Sequence, residues 1–414
     1  MTAVASKRET LTIGFIPLVD CAVVVAARDK GFAEAEGLTL DLVRETSWAN
    51  IRDRVVLGHF DAAQMLAPMP IAANLGIGGF DVPMVAPFSL GLGGNAVAVS
   101  TALFEAMAAQ GATSAAGPAE MAAALAATIA LRANRGAIPL TFGMVHPFSC
   151  HNYELRYWLA SAGIDPDRDV RLVVVPPPMM VEALRERRVD GFCVGEPWNS
   201  QAVDEHVGHI VAVKSALWRQ SPEKVLGMRT VFADQHPATV DALLRALHRA
   251  AVWAGSPANH AELADILARP ERVGAPAGQI LRALSGHLVP APGEPPSEIA
   301  DFLIFNAHAA NFPWQSHALW LYSQMVRWGQ VAHTPERAAV ARATYRPDVF
   351  RRALGPIGAD LPAASAKVEG ALTRPTPVAS LSGRLVLGPD GFFDGRLFDP
   401  DDLEGYLRGL GVAV

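Results

Sequence analysis

The sequence predicts an α/β fold of two similar lobes with a ligand cleft between them. Three observations carry that reading. The chain opens as β-α-β; a helix, turn, Asp and strand unit from this opening recurs near residue 180; and 414 residues exceed the length over which one hydrophobic core keeps growing.

Residues 11–16, "LTIGFI", read as a buried strand, residues 20–32 as a helix closed by Gly31, and "LTLDLVRE" alternates as a strand does. This is the opening of an open α/β sheet. The recurrence follows. "NIRDRVVLGHFDAAQMLAPMP" and "MVEALRERRVDGFCVGEPWN" each run from an amphipathic helix through a turn to an Asp and a short apolar strand, with Asp61 matching Asp190 and Pro68 matching Pro197. In open sheets ligands bind at the carboxyl ends of strands, so both copies aim their last residues at a shared crevice. The Ala-rich stretch after "GGNAVAV" is helical, with a hinge expected near Val99 and Ser100 and a return crossing near "HIVAVKSALW". Lobe 1 is then residues 1–99 plus 230–414 and lobe 2 residues 100–229, with hinges near 99–100 and 210–230. Beyond residue 230 the three- and four-residue apolar spacing is helical, and the tail "GFFDGRLFDPDDLEGYL" reads as a hairpin turning at Asp394-Gly395 followed by a short helix.

Half of the residues are apolar and 18% are charged, an ordinary globular balance. Lys plus Arg is 35 against 41 Asp plus Glu, a net charge of −6 with no dense basic block, which argues against direct nucleic-acid binding. The start, "MTAVASKRETLTIGFIPLVD", lacks the uninterrupted apolar core of an export signal, and no apolar run reaches the roughly 18 residues that span a bilayer. Cys21, Cys150 and Cys193 have no ligand-like spacing and read as reduced thiols. A cytoplasmic location is the expectation.

In "HPFSCHNYELRYWLASAG", Ser149 suits an N-cap, and Leu155, Trp158, Leu159 and Ala162 form the buried stripe. His151 then sits in the first turn, beside unpaired N–H groups that attract anions; the other reading is a histidine that caps or packs. "RETSWANIRD" puts Trp48 and Asn50 at another helix start with Ser47 as cap, where an indole supplies an apolar wall and one donor, or simply packs. Glu196 of "GEPWN" stands at the mouth of the recurring strand as a weak metal candidate, with no acidic neighbour in sequence. Lys224 of "SPEKVLGMR" is expected at a helix start, either balancing an anion or solvated. Cys150 or Cys193 as nucleophile needs a base, and adjacent helical residues do not face each other, so Cys150 and His151 are a poor dyad. The Gly-rich "LGIGG" and "LGLGGN" match no nucleotide-binding spacing.

Taken together, "GFIPLVDCAVVVAARDKGF", "SWANIRD", "DAAQMLAPMP", "HNYELRYWLASAGIDPDRDV", "DGFCVGEPWN", "PEKVLGMR" and "NFPWQSHALWLYSQMVRWG" resemble the nitrate- and bicarbonate-binding proteins of the ABC-transporter substrate-binding superfamily, nearly end to end. The resemblance implies a two-lobe periplasmic-binding-protein-like fold (type II), no cofactor, no enzymatic activity, and an anion contacted by Trp48, His151 and Lys224. An amide also lines that pocket, from Asn95 or Gln64, with Asn95 slightly favoured. Because no export signal is read, the resemblance points to the cytoplasmic nitrate/nitrite sensor branch, which holds an RNA-binding antiterminator of the ANTAR type and releases it on anion binding. The alternatives are the binding component of a nitrate or bicarbonate transporter and a cysteine-dependent hydrolase. Donor-only groups select nitrate or nitrite, whereas a carboxylate or metal nearby selects bicarbonate.

Overall fold

The computed structural model describes residues 8–79 and 82–413, so the amino-terminal residues on which the export expectation partly rests lie outside it. The first sheet contains β1 (Glu9–Phe15), β2 (Leu38–Arg44), β3 (Ala62–Leu66), β4 (Met84–Gly93) and β10 (Pro222–Arg229), plus the two-residue strand Leu303–Ile304. The second contains β5 (Asn95–Ser100), β6 (Leu140–Met144), β7 (Val170–Val174), β8 (Gly191–Gly195) and β9 (Gly208–Val213). Their orders, β4-β10-β3-β1-β2 and β7-β6-β8-β5-β9, follow one plan: three parallel strands, then one strand running against them (β10 or β5), then one running with them again (β4 or β9).

The repeated sequence unit is a repeated structure. Asp61 Oδ2 accepts from Thr12 N at 2.8 Å, and Asp190 Oδ2 accepts from Thr141 N at 2.8 Å, so each Asp closes the start of its lobe's central strand pair. "LTIGF" in β1 and "LTFGM" in β6 occupy matching places, with Gly14 beside Ala63 and Gly143 beside Phe192. Gly14 admits no side chain, because a Cβ there would lie 2.3 Å from the Phe60 ring.

The passage from the first sheet to the second comes at Gly93 and Gly94, ahead of the Val99–Ser100 position expected from the sequence, which lies inside β5. Gly94 has φ +88, a conformation that glycine adopts without steric cost. The return runs through residues 214–221 into β10, which pairs on both sides in the first sheet. This corrects the helix start expected around Lys224: Ser-Pro-Glu suits a helix cap locally, but ladder bonds to β3 and β4 override that preference. The expected tail hairpin is also corrected. A turn forms at Asp394-Gly395, yet Phe392 bridges to Trp218 and Phe398 to Glu369 rather than to each other. The short helix does form, Leu403–Gly409, capped by Asp402. Among the described residues no helix is long and apolar enough to cross a membrane.

Candidate functional site

Two helix starts reach the junction of the lobes. Ser47 caps the helix Trp48–Val56 by accepting from Asn50 N at 3.2 Å, and Ser149 caps Cys150–Ser161 by accepting from Asn152 N at 3.0 Å. Each cap satisfies one first-turn donor and leaves the positive end of the helix directed at its neighbourhood. Leu155, Trp158 and Leu159 bury the second helix in its own lobe, as their spacing predicts. Its other side is tied to the first lobe's helical extension: Tyr153 Oη donates to Gln330 Oε1 at 2.7 Å and Tyr157 Oη to Asp394 Oδ2 at 2.7 Å. The helix that carries His151 is therefore fixed from both sides.

Between these starts lies a buried charged cluster. Lys224 Nζ contacts Asp20 Oδ2 at 2.8 Å and Glu223 Oε1 at 2.5 Å, with the Trp48 ring centroid 5.3 Å away. Lys214 is bonded to both Glu154 and Glu223 and donates to Pro222 O at 2.7 Å. Asn95 Nδ2 donates to Glu223 Oε2 at 2.6 Å and Glu154 Oε2 at 3.2 Å. Gln64 accepts from Ile16 N and donates to Asp20 Oδ1 at 2.5 Å. His151 Nδ1 stands 3.5 Å from Glu223 Oε1. All of these side chains are buried.

Burial alone would raise Glu223, but Lys214 and then Lys224 hold it below the ordinary carboxylate range. Glu154, whose burial outweighs its contact with Lys214, is pushed up to about 7. Burial would lower both lysines, yet the carboxylates keep each ammonium charged, Glu154 and Glu223 for Lys214, Asp20 and Glu223 for Lys224. Burial also pushes His151 down to about 3, so its ring is neutral. Within this cluster Trp48 Nε1, both ring nitrogens of His151 and Asn95 Oδ1 are buried with no hydrogen-bond partner. A buried donor without a partner costs about 1–3 kcal/mol, which an acceptor placed there removes.

The structure thus gathers Trp48, His151, Lys224, Gln64 and Asn95 at one place, and both candidate amides belong to it. Asn50 does not: it is exposed, and its Nδ2 donates to Glu45 Oε2 at 2.9 Å. Glu196 is buried beside the strand end and accepts from Ser200 N at 3.2 Å, and burial raises it to about 7. Cys150, Glu154 and Glu223 are the one trio among the described residues with metal-ligand spacing, and Lys214 already places its own positive charge on both carboxylates. Sequence reasoning missed Asp20, Glu154, Lys214 and Glu223. Glu154 sits on the quoted His151 helix and Glu223 beside Lys224, so adjacency to two candidates was the available signal. The hydrolase alternative is corrected, because all three cysteines are buried and burial pushes Cys150 and Cys193 well above the ordinary thiol range, leaving no thiolate to attack.

Two α/β lobes of one topology, joined by crossing strands over a buried polar site, define a two-lobe ligand-binding protein. The profile of the NMT1-like family matches residues 4–268, and the chain belongs to that family. It is 31% identical to the nitrate/nitrite binding protein NrtA of Nostoc sp. strain PCC 7120 over 418 residues, 99% of this chain and 87% of that one. It is 36% identical to the nitrate import ATP-binding protein NrtC and 33% identical to the bicarbonate transport ATP-binding protein CmpC, both of Synechocystis sp. strain PCC 6803, in each case over 97% of this chain. The chain spans only 55% of the length of either ATP-binding relative. The crystal structure of periplasmic NrtA from Synechocystis PCC 6803 matches with a TM-score of 0.85 at 28% identity, covering 98% of this chain and 99% of that one. The homologues that match over most of their length are binding proteins rather than enzymes, as the sequence reading expected.

Proposed function

We propose that this protein binds nitrate or nitrite between its lobes as the binding component of an ABC-type importer. The observation that carries the proposal is the unpartnered donor set, Trp48 Nε1 and the His151 ring, gathered around the Lys224 ammonium. A small planar oxyanion offers acceptors in several directions, which is what two unpartnered N–H donors require, and the Lys224 ammonium, already paired with Asp20 and Glu223, attracts its charge. The roles named for NrtA and NrtC support the same ligand and an import role.

Bicarbonate is the second reading, favoured by Glu223 beside His151 and by the likeness to CmpC. The sequence showed no acidic cluster; with Glu223, Glu154 and Asp20 in place, an acceptor for the bicarbonate O–H is present. Calorimetric titration with nitrate, nitrite, bicarbonate and sulfate, with and without calcium, tests both. Tight nitrate or nitrite binding independent of calcium is expected; binding confined to bicarbonate, or dependent on calcium, overturns the choice.

The sensor reading, with a cytoplasmic address and an ANTAR-type antiterminator partner, draws no support from the transport roles named for the relatives. Mapping the mature amino terminus in the source cell separates the two: a cleaved export segment is expected for an importer component, whereas an uncleaved cytoplasmic chain that co-purifies with an antiterminator would restore the sensor.

A further inference from the structure

Resting on the anion reading above, we propose that His151 takes up one proton each time the site binds nitrate or nitrite, and so stands as a doubly donating imidazolium between the anion and Glu223. His151 has no exposed surface and neither ring nitrogen has a hydrogen-bond partner, while Nδ1 lies 3.5 Å from Glu223 Oε1. A neutral imidazole carries one N–H and one lone pair. With the proton on Nε2, the Nδ1 lone pair faces the Glu223 carboxylate. With the proton on Nδ1, an anion at the far edge of the ring meets the Nε2 lone pair. Either tautomer turns a lone pair toward a negative charge, and only the imidazolium donates to both.

The surroundings explain why the proton arrives with the anion. Burial is the largest influence holding the ring neutral; Glu223 opposes it, and Lys224 and Lys214 add to it. On the ring's own helix, Glu154 is committed to Lys214 and Asn95, and Cys150 is uncharged. From the other elements, Trp48 contributes no charge, and Asp20 is paired with Lys224. A monoanion against the ring adds a second negative neighbour and raises its basicity. The proton comes from solvent, and the pair enters with no net charge added to a water-poor site, where an unbalanced charge is costly. Nitrate and nitrite carry no proton of their own. Bicarbonate does, and its O–H can donate to the neutral ring, so His151 sets which anions need a proton from solvent.

The test is calorimetry of the full chain with potassium nitrate in two buffers of small and large ionisation enthalpy, repeated between about pH 6 and 8. Uptake near one proton per nitrate is expected, with Kd rising by up to about tenfold per pH unit while the bound ring is protonated and the free ring is not. Nitrogen-15 spectra of histidine-labelled protein should show both His151 ring nitrogens protonated only with nitrate, a readout that needs no variant. His151→Gln keeps one donor and should lose the uptake and the slope; Asn50→Ala, outside the site, should keep both. Nitrate binding without proton exchange overturns the inference, as does uptake that survives in His151→Gln and vanishes in Glu154→Gln. Absence of nitrate binding to the unmodified chain overturns the anion reading instead.

Discussion

Ser47 and Ser149 cap helices at equivalent places in the two lobes, yet the first lobe follows its cap with Trp48 and the second with Cys150 and His151. Asp61 and Asp190 close the same strand pairs with the same bonds. Immediately before Pro68 the first lobe has Ala67, and before Pro197 the second has Glu196. The scaffold is thus shared, and the chemistry lies where the copies differ. Both ammoniums of the cluster, Lys214 and Lys224, and the Glu223 carboxylate between them belong to neither copy; they ride on the return crossing. In this arrangement each lobe brings a donor through a capped helix, and the connection between lobes brings the charge.

The largest expected effect breaks that connection. Lys214→Met leaves Glu154 and Glu223 facing each other without their shared ammonium, and removing one partner of a buried ion pair costs about 3–5 kcal/mol. The loss should be greater near pH 8 than near pH 5, because Glu154 can neutralise itself by protonation at the lower pH. Adding Glu154→Gln should recover part of it. Thermal melts of the single and double variants across pH check this; equal melting temperatures for Lys214→Met and the unmodified protein would remove the crossing from the core of the site.

Next in size is the carboxyl at the place where the first lobe has alanine. Burial holds Glu196 at about 7 against an ordinary 4.5, so its contribution is present below about pH 4.5 and is lost as pH rises through about 7. Glu196→Gln cannot ionise. Its stability relative to the unmodified protein should therefore rise by about 2–3 kcal/mol between about pH 5 and 8, read from denaturant midpoints at each pH. A difference that does not change with pH would mean the carboxyl is solvated.

Much of this architecture was legible because it is local or repeated. Alternating and helical apolar spacing gave the β-α-β opening, the serine caps are one-residue signals, and the Asp61 and Asp190 echo marks strand ends that the structure superimposes in role. What stayed hidden is set by long-range pairing. Lys224 read as a helix residue because Ser221-Pro222-Glu223 is a fair cap, and only the ladders to β3 and β4 make it a strand. Asp20, Glu154 and Lys214 looked like ordinary charges of a helix start, a helix face and a loop. Their meaning is that chain folding brings them together under burial, and no spacing rule encodes a contact between residues 20 and 224 or 154 and 214.

Smaller effects sharpen the comparison between the helix starts. Trp48→Phe keeps the ring's bulk against Lys224 and removes only the unpartnered Nε1–H, so nitrate affinity should fall by about tenfold, the worth of one hydrogen bond to a charged acceptor, with little change in melting temperature. Asn50 and Asn152 occupy the same position after the two caps and should behave differently. Asn152 is buried and its Nδ2 donates to Pro147 O at 2.8 Å, whereas Asn50 is exposed and bonded to Glu45. Asn50→Ala should then leave nitrate affinity within about twofold, since an exposed amide contributes little to a buried site and the bond Asn50 donates to the Ser47 cap is made by its backbone N–H. A loss comparable to that of Trp48→Phe would show that the lobes move far enough on binding to bring Asn50 into the site, and the shared position of the two asparagines would then be functional rather than inherited from the scaffold.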